Sequence, residues 1–180
     1  TVGNGSPLLL NFPPNQTGDL DGSIYSRLNE FKNAIDNTFK TNLLAQNSKA
    51  GASSVYENAK EYSPVKAIDG DEDTYWTTEK GEITGTLEIE FDEVKEFDVV
   101  SIEEAIQFGQ SINEYKVEYR NGDDGQWKTL DEGKTIGAKR LVRTGTVKAD
   151  QIRITVDTNK TDALPIISEV GVYKTIDAFE

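Results

Sequence analysis

Hydrophobic and polar residues follow two different periods along this chain, and the period changes near residue 40. Before that point, apolar residues recur every three or four positions, which is the spacing of one face of an amphipathic helix. These residues are Ile24, Leu28, Phe31, Ile35 and Phe39. Asp21 or Ser23 is suitably placed to cap the helix. Upstream, the apolar run in GSPLLLNFPPN, ended by Pro13-Pro14, predicts a buried strand.

After residue 41, apolar residues alternate with polar ones or lie in runs rich in β-branched and aromatic residues, which predicts β-strands. Turn clusters such as NGDDG and DEGK separate the runs. Short strands at this spacing are typical of an antiparallel β-sandwich or jelly roll. The predicted strands are 85–91, 97–105, 113–120, 126–130, 139–143, 151–156 and 169–174.

The two patterns divide the chain into two parts, 1–40 and 41–180. One strand and one helix make half of a βαβ unit and cannot bury both of their faces alone. We therefore expect residues 1–40 to be the last strand and helix of a larger α/β domain. Residues 41–180 are long enough to form a β-sandwich with its own core.

Composition narrows the possible partners and chemistry. The formal net charge is −13 over 180 residues, which argues against nucleic acid and anionic membranes because both need a basic footprint. No apolar run approaches the length needed for membrane insertion, and the first residues lack the pattern of a signal peptide. Cysteine and histidine are absent, which excludes disulfides, thiol nucleophiles, Ser-His triads and the usual zinc sites. Any bound metal is then a hard cation on oxygen ligands.

Several quoted segments resemble a known family of enzymes. The stretch GSPLLLNFPPNQTGDLDGSIYSRLNEF resembles the last strand and helix of the catalytic α/β barrel in α-L-fucosidases of glycoside hydrolase family 29. The segments EEAIQFGQSINEYKVEY, EGKTIGAKRLVR and LPIISEVGVY are similar to the C-terminal sandwich of that family. The stretch from NLLAQNSKAGASS to SPVKAIDGDEDTYW is similar to the start of a factor V/VIII type C domain, also called a discoidin-like or family 32 carbohydrate-binding module.

This resemblance implies a carbohydrate-binding or ancillary module of a secreted or cell-surface, retaining exo-α-L-fucosidase, whose upstream barrel carries the catalytic carboxylates. The implied partners are fucosylated or galactosylated glycans and that upstream barrel. A stand-alone lectin and a purely structural sandwich that buttresses the barrel are the alternatives. The absence of cysteine in a secreted, sugar-active protein favours a bacterial source. Adjacent acids such as 103–104, 123–124 and 131–132 point to opposite faces of a strand or lie in turns, so we expect no hydrolysis by this chain alone.

The acidic stretch KAIDGDEDTYW, residues 66–76, reads either as a solvated turn or as a calcium loop. Calcium takes six to eight oxygen ligands, and a glycine lets the backbone fold around them. The order of the acids is not that of an EF-hand. Resemblance to discoidin-like modules implies structural Ca²⁺ that ties the loop to the last strand. The implied ligands are Lys66, Asp69, Asp71, Thr74, Ser168 and Glu169.

Sugar-binding sites combine aromatic faces, which stack on pyranose rings, with a few polar groups that fix the hydroxyls. By position, the loop 54–63, the stretch after Trp76 and the loop 103–110 would meet at one end of the sandwich. Each candidate also has a structural interpretation, such as loop packing or a hydrogen bond to the backbone. The candidates are Tyr56, Tyr62, Thr78, Glu104, Gln107 and Gln110.

Overall fold

The structure is a computed structural model that describes residues 8–44, 47–122, 125–160 and 162–176. In these ranges the chain forms an α-helix followed by seven β-strands, with short 3₁₀ turns in the loops. The elements are α1 (Gly22–Phe39), β1 (Lys49–Ala52), β2 (Trp76–Thr77), β3 (Thr84–Glu104), β4 (Glu114–Arg120), β5 (Lys128–Gly133), β6 (Arg140–Asp157) and β7 (Ile166–Tyr173).

The strands form an antiparallel β-sandwich built on two long, irregular strands. Over the described residues the order is β2-β7-β3-β6-β4-β5, with β1 beside β3. The first half of β3 pairs with β1 and the end of β6, whereas its second half pairs with β7 and the start of β6. Register shifts between Glu90 and Lys95 and between Phe97 and Val99 separate these halves. The bend lets β3 and β6 serve both layers.

The core lies between the layers and includes side chains from both halves of the long strands. Leu87 and Ile89 come from the first half of β3, and Val100 and Ile102 come from the second half. Their alternation with polar residues is the period-two pattern that the sequence shows. The prediction of an antiparallel sandwich is therefore confirmed.

Trp76 anchors the core beneath the loops at one end of the sandwich. Its ring is fully buried, and its indole N–H donates to the carbonyl oxygen of Ser54 at 2.9 Å. A Cβ at position 85 would lie 2.6 Å from the Trp76 ring, so only glycine fits there. The close approach fixes the loop 54–63 against the start of β3.

Residues 8–44 show one confirmed and one wrong prediction. The helix is α1, with Asp21 at its N-cap position. Residues 8–14 form no strand, because a single apolar run has no neighbouring strand here to complete its hydrogen bonds. This segment instead lies beside α1, and together they line an apolar groove of about 500 Å³. The groove is lined by Leu8, Leu10, Phe12, Ser23, Ile24, Arg27, Leu28 and Phe31.

The end of α1 reaches the sandwich through an edge contact between Phe39 and Tyr173, whose ring centroids are 4.9 Å apart. No helix in the described ranges combines the length and hydrophobicity that crossing a bilayer requires.

Candidate functional site

The acidic loop gathers several oxygen atoms around the hydroxyl of Thr74. Gly70 has a φ of +78°, a conformation that favours glycine and turns the chain back on itself. The Thr74 Oγ1 atom lies 3.0 Å from both carboxylate oxygens of Asp69, 3.3 Å from the carbonyl oxygen of Lys66 and 3.2 Å from that of Asp71. A hydroxyl has one proton to donate, so it cannot satisfy four acceptors. The loop therefore gathers more oxygen acceptors around this hydroxyl than its single proton can serve.

Glu169, on β7, adds a carboxylate at the edge of this loop. Its Oε2 accepts a hydrogen bond from the backbone N–H of Gly70 at 3.1 Å, and the residue is only 8% exposed. Burial, together with the negative charges of Asp69, Glu103 and Glu72, raises the pKa of Glu169 to about 8. Among the ion pairs of the described residues, none involves Glu169. The carboxylate is thus buried among other acids without a cationic partner.

Ser168 and Lys66 are the remaining predicted ligands. Ser168 is buried next to Glu169, and its hydroxyl donates to the carbonyl oxygen of Glu103 at 3.3 Å. The Lys66 ammonium forms an ion pair with Asp69 at 3.0 Å. Burial alone would raise the pKa of Asp69, but hydrogen bonds from Lys66 and Thr74 outweigh it and lower that pKa. The structure therefore brings together Lys66, Asp69, Asp71 and Thr74 and places Glu169 against Gly70 of the same loop, whereas the recorded side-chain bond of Ser168 goes to Glu103.

The chemistry of these donors fits calcium better than a transition metal. Carboxylate, carbonyl and hydroxyl oxygens are the ligands that hard cations prefer. In the parts of the chain that the structure describes, no group of three or more acidic side chains surrounds a common point. Two carboxylates, from Asp69 and Glu169, would therefore have to be completed by backbone carbonyl and hydroxyl oxygens and by water.

A row of four aromatic rings lies next to this loop, and we call it the aromatic surface: Tyr56, Tyr62, Tyr75 and Phe108. Successive ring centroids are 5.5, 5.4 and 5.1 Å apart. The rings come from three segments that are distant in sequence but meet at one end of the sandwich. Phe108 is 60% exposed, and the three tyrosines are partly exposed. The rings thus hold one another while leaving apolar area open to solvent.

Hydrogen bonds also orient the middle of the aromatic surface. The Tyr62 hydroxyl interacts with the side chains of Glu61 and Tyr75, and these interactions raise the pKa of Tyr62 to about 12. The phenol is therefore a protonated hydroxyl at neutral pH. It can donate and accept hydrogen bonds beside an apolar ring, which is what a sugar face requires.

The other predicted sugar contacts divide into exposed and buried residues. Gln107 and Gln110 are exposed on the loop that carries Phe108. Thr78 is fully buried, and its hydroxyl donates to the carbonyl oxygen of Glu82 at 3.0 Å. Glu104 is 3% exposed, and its carboxylate accepts hydrogen bonds from backbone N–H groups. Thr78 and Glu104 therefore lie inside the fold and are not available to contact a ligand in this conformation.

Sequence reasoning missed Tyr75 and Phe108, although a signal existed for each. Tyr75 is the aromatic residue between the predicted calcium loop and the core residue Trp76, a position that joins the acidic loop to the end of the sandwich. Phe108 stands between Gln107 and Gly109 in a polar loop, where an aromatic residue has no core to enter. Exposed aromatic residues in such loops indicate contact surfaces.

The adjacent acid pairs have separate roles where they are described. Glu103 forms an ion pair with Lys139 at 2.7 Å, and Asp131 accepts a hydrogen bond from the hydroxyl of Tyr115 at 2.7 Å. The pair 123–124 lies outside the described residues.

Two long strands are shared by both layers, and the acidic loop and the aromatic surface lie at one end. These features define a discoidin-like β-sandwich. Residues 49–170 match the F5/8 type C domain, and the chain belongs to that family.

Several relatives that match beyond this domain are α-L-fucosidases. A glycoside hydrolase family 29 fucosidase of Ruminococcus gnavus, solved in complex with fucose, is 52% identical with a TM-score of 0.93, covering 100% of this chain and 36% of that one. A crystal structure from Bacteroides thetaiotaomicron, described as an α-L-fucosidase, is 35% identical with a TM-score of 0.89, covering 99% and 38%. Alpha-L-fucosidase 1 of Arabidopsis thaliana is 31% identical over 175 residues, covering 96% and 34%.

The chain spans about a third of the length of these relatives. The family match and the fucosidase relatives cover the same residues, so the chain corresponds to the discoidin-like module that those fucosidases carry.

Proposed function

We propose that this chain is the C-terminal carbohydrate-binding module of a secreted, bacterial, retaining exo-α-L-fucosidase and that its aromatic surface binds fucose- or galactose-containing glycans. The observation that carries the proposal is the contiguous row of Tyr56, Tyr62, Tyr75 and Phe108, partly exposed at the loop end of the sandwich. In this proposal the catalytic carboxylates belong to the upstream barrel, and the module alone hydrolyses nothing.

The chemistry of the surface favours an uncharged, polyhydroxylated ligand. Aromatic faces stack on the C–H faces of pyranose rings, while tyrosine hydroxyls and amide groups bond to sugar hydroxyls. Gln107 and Gln110 supply amides on the same loop as Phe108. The net charge of −13 repels anionic partners, whereas neutral glycans are unaffected by it.

Calcium at the acidic loop is the structural part of the proposal. The oxygen atoms of Lys66, Asp69, Asp71 and Thr74 already converge, and Glu169 is buried beside them without a cationic partner. Bound Ca²⁺ would supply the missing positive charge and join the loop to β7. Because Tyr75 follows Thr74 directly, the same ion would steady one end of the aromatic surface.

Isothermal titration calorimetry tests the sugar-binding proposal. Titrations of 2′-fucosyllactose, L-fucose and lactose cover fucosylated and galactosylated ligands. We expect Phe108→Ala and Tyr62→Ala each to weaken binding by about tenfold, the loss expected when one stacking contact is removed. Tyr25→Ala is the matched control, because Tyr25 is an exposed tyrosine on α1, away from the sandwich. Equal losses in the control, or no binding of any of these sugars or of a wider glycan array, would refute the proposal.

A second role is favoured by the apolar groove between residues 8–12 and α1. Leu8, Leu10 and Phe12 remain exposed in it, which is the kind of surface that the upstream barrel would cover. Under this alternative the module buttresses the catalytic domain. Variants of the aromatic surface that weaken glycan binding without lowering the stability of the whole enzyme support the first role. Variants of the apolar groove that lower the stability of the whole enzyme without weakening glycan binding support buttressing.

A further inference from the structure

One buried carboxylate accepts three of the hydrogen bonds that tie the loop presenting Phe108 to the fold. The Oε1 atom of Glu104 accepts hydrogen bonds from the backbone N–H groups of Ser111 and Ile112 at 2.8 and 2.9 Å. Its Oε2 atom accepts one from the N–H of Gly137 at 2.6 Å. The backbone N–H of Glu104 in turn donates to the carbonyl oxygen of Gly137 at 3.1 Å. One side chain thereby joins the end of β3, the far end of the loop and a second turn.

We call this arrangement the clasp, because it joins the two ends of the loop 105–112. The loop leaves β3 at Ala105, makes a 3₁₀ turn over Ile106–Phe108 and returns to the carboxylate at Ser111. The middle of the loop is exposed, including Ile106 and Phe108. Within the described residues, the hydrogen bonds of the loop middle are the turn bonds of Phe108 and Gly109 to Ala105 and Ile106. The loop is therefore held at its ends, and Glu104 holds the returning end together with the hydroxyl of Ser111, which donates to the carbonyl oxygen of Leu164 at 2.9 Å.

The position of Phe108 depends on this clasp. Its ring contacts Tyr75 with centroids 5.1 Å apart, and Tyr75 belongs to a different segment. Charge-assisted bonds from a carboxylate to backbone N–H groups are among the strong ones. If these bonds were lost, the returning end of the loop would be released and the short turn could shift relative to Tyr75. The Phe108 ring would then move away from the rest of the aromatic surface, although Phe108 itself is not substituted.

We propose that Glu104 is a positioning residue for glycan binding: it touches no sugar, but holds the loop 105–112 so that Phe108 completes the aromatic surface. The proposal rests on the proposed function of that surface. It also explains why a carboxylate lies on the core side of β3, where Val100 and Ile102 precede it at the same spacing. An apolar residue there would leave three backbone donors without an acceptor.

The experiment compares Glu104→Gln with Asp98→Asn. Asp98 is a matched control because it is also a buried carboxylate with three donors, the backbone N–H and hydroxyl of Thr175 and the ammonium of Lys174. Both changes replace a carboxylate with an amide of the same shape, and both should lower Tm. We expect only Glu104→Gln to weaken binding of 2′-fucosyllactose, by about tenfold, and to speed amide hydrogen exchange in residues 105–112.

A structural signature separates positioning from general destabilisation. In Glu104→Gln, nuclear Overhauser contacts between the rings of Phe108 and Tyr75 should weaken, while those between Tyr62 and Tyr75 persist. Glu104→Asp keeps the charge on a shorter side chain and should retain more affinity than Glu104→Gln. If Glu104→Gln does not fold, Glu104→Asp carries the same comparison.

The possible outcomes are distinct. Unchanged exchange in 105–112, unchanged ring contacts or an equal loss of affinity in Asp98→Asn would each overturn the positioning role. If the unaltered protein binds none of the probes, the proposed function fails. In that event, faster exchange and loss of the Phe108–Tyr75 contact in Glu104→Gln would still support the clasp.

Discussion

Two buried glutamates at the same end of the sandwich have opposite surroundings. Glu104 is 3% exposed and Glu169 is 8% exposed, so both have lost almost all contact with water. Glu104 accepts three backbone N–H bonds. Glu169 accepts one, from Gly70, and faces the negative charges of Asp69, Glu103 and Glu72.

The difference in hydrogen bonding indicates that the two carboxylates have different roles. Burying a charge is costly unless hydrogen bonds or an opposite charge compensate it. The compensation of Glu104 is complete within the fold, so it acts as an anchor. The compensation of Glu169 is incomplete, and its one hydrogen-bond donor, Gly70, belongs to the acidic loop. A cation would balance the second site and is not needed at the first.

The largest expected effect is the difference in the free energy of unfolding that is lost when each glutamate is replaced. Glu104→Ala leaves three buried donors without an acceptor, and each such group costs about 1–3 kcal/mol. We expect the free energy of unfolding to fall by about 4 kcal/mol, whereas Glu169→Gln in EDTA should change it by less than about 1 kcal/mol. The raised pKa of Glu169, about 8, keeps its carboxyl largely protonated at neutral pH without calcium, so the variant replaces one neutral group with another of the same shape. Urea denaturation followed by tryptophan fluorescence measures both.

Similar losses of stability for the two variants in EDTA would contradict the expected difference between the two glutamates. Such a result would mean that the single bond from Gly70 compensates Glu169 as well as three bonds compensate Glu104. The m value should stay constant in both variants, which verifies that the same unfolding transition is being compared.

Calcium supplies the second prediction. At a free concentration one hundred times its Kd, a ligand that binds only the folded state stabilises it by about 2.7 kcal/mol. For a chain of this size, that corresponds to a rise in Tm of about 5–10 °C. Asp69→Ala and Glu169→Gln should each remove most of the difference between calcium and EDTA, whereas Glu104→Asp should retain it.

Differential scanning calorimetry in calcium and in EDTA measures this effect. Magnesium at the same concentration is the ionic control, because it demands a smaller and more regular octahedral shell. A protein whose Tm is the same in calcium and in EDTA after exhaustive chelation would argue against the site.

The sequence was most informative where the physical signal is local. The alternation in GTLEIEF and QIRITV predicts strands because each second residue enters the core, and the stripe from Ile24 to Phe39 predicts α1 for the same reason. β1 and β2 escaped notice because KAGA offers no bulky residues and the strand Trp76–Thr77 has only two. Residues 8–14 were assigned a strand wrongly, since strand pairing depends on neighbours that a local pattern cannot reveal.

The candidate sites show the same limit. Tyr56 and Tyr62 could be proposed from their loop, but the row they form with Tyr75 and Phe108 depends on three segments meeting in space. Glu104 was proposed as a sugar contact because it lies in the predicted loop 103–110. The spacing from Val100 and Ile102, which places it on the core side, was the stronger signal.

Asp98 gives the third prediction, since it is another buried carboxylate in the second half of β3. Burial opposes its charge, but hydrogen bonds from Thr175 and Lys174 outweigh burial and lower its pKa. A lowered pKa means that the stability contribution is fully present above the unfolded-state pKa of about 3.9 and is lost as pH falls through the folded-state value. Asp98→Asn should therefore cost about 2 kcal/mol at pH 7 and progressively less on acidification below about pH 4.

Urea denaturation of both proteins at a series of pH values measures this convergence. A constant difference between them down to the lowest pH at which both fold would show that shape, rather than charge, is what Asp98 contributes. Asp98 would then no longer extend the comparison to a third buried carboxylate.

The smallest expected effect concerns Lys66, whose ammonium lies 3.0 Å from Asp69. In the calcium proposal only the backbone carbonyl of Lys66 is a ligand, so its side chain competes with the cation for the Asp69 carboxylate. Exposed ion pairs are worth about 0.2–1 kcal/mol. Lys66→Met should therefore tighten calcium binding by about two- to fivefold in a calorimetric titration. Lys60→Met, a change on a neighbouring exposed turn, controls for the altered net charge. Weaker binding in Lys66→Met than in Lys60→Met would mean that the ammonium helps to shape the loop rather than occupying the place of a cation.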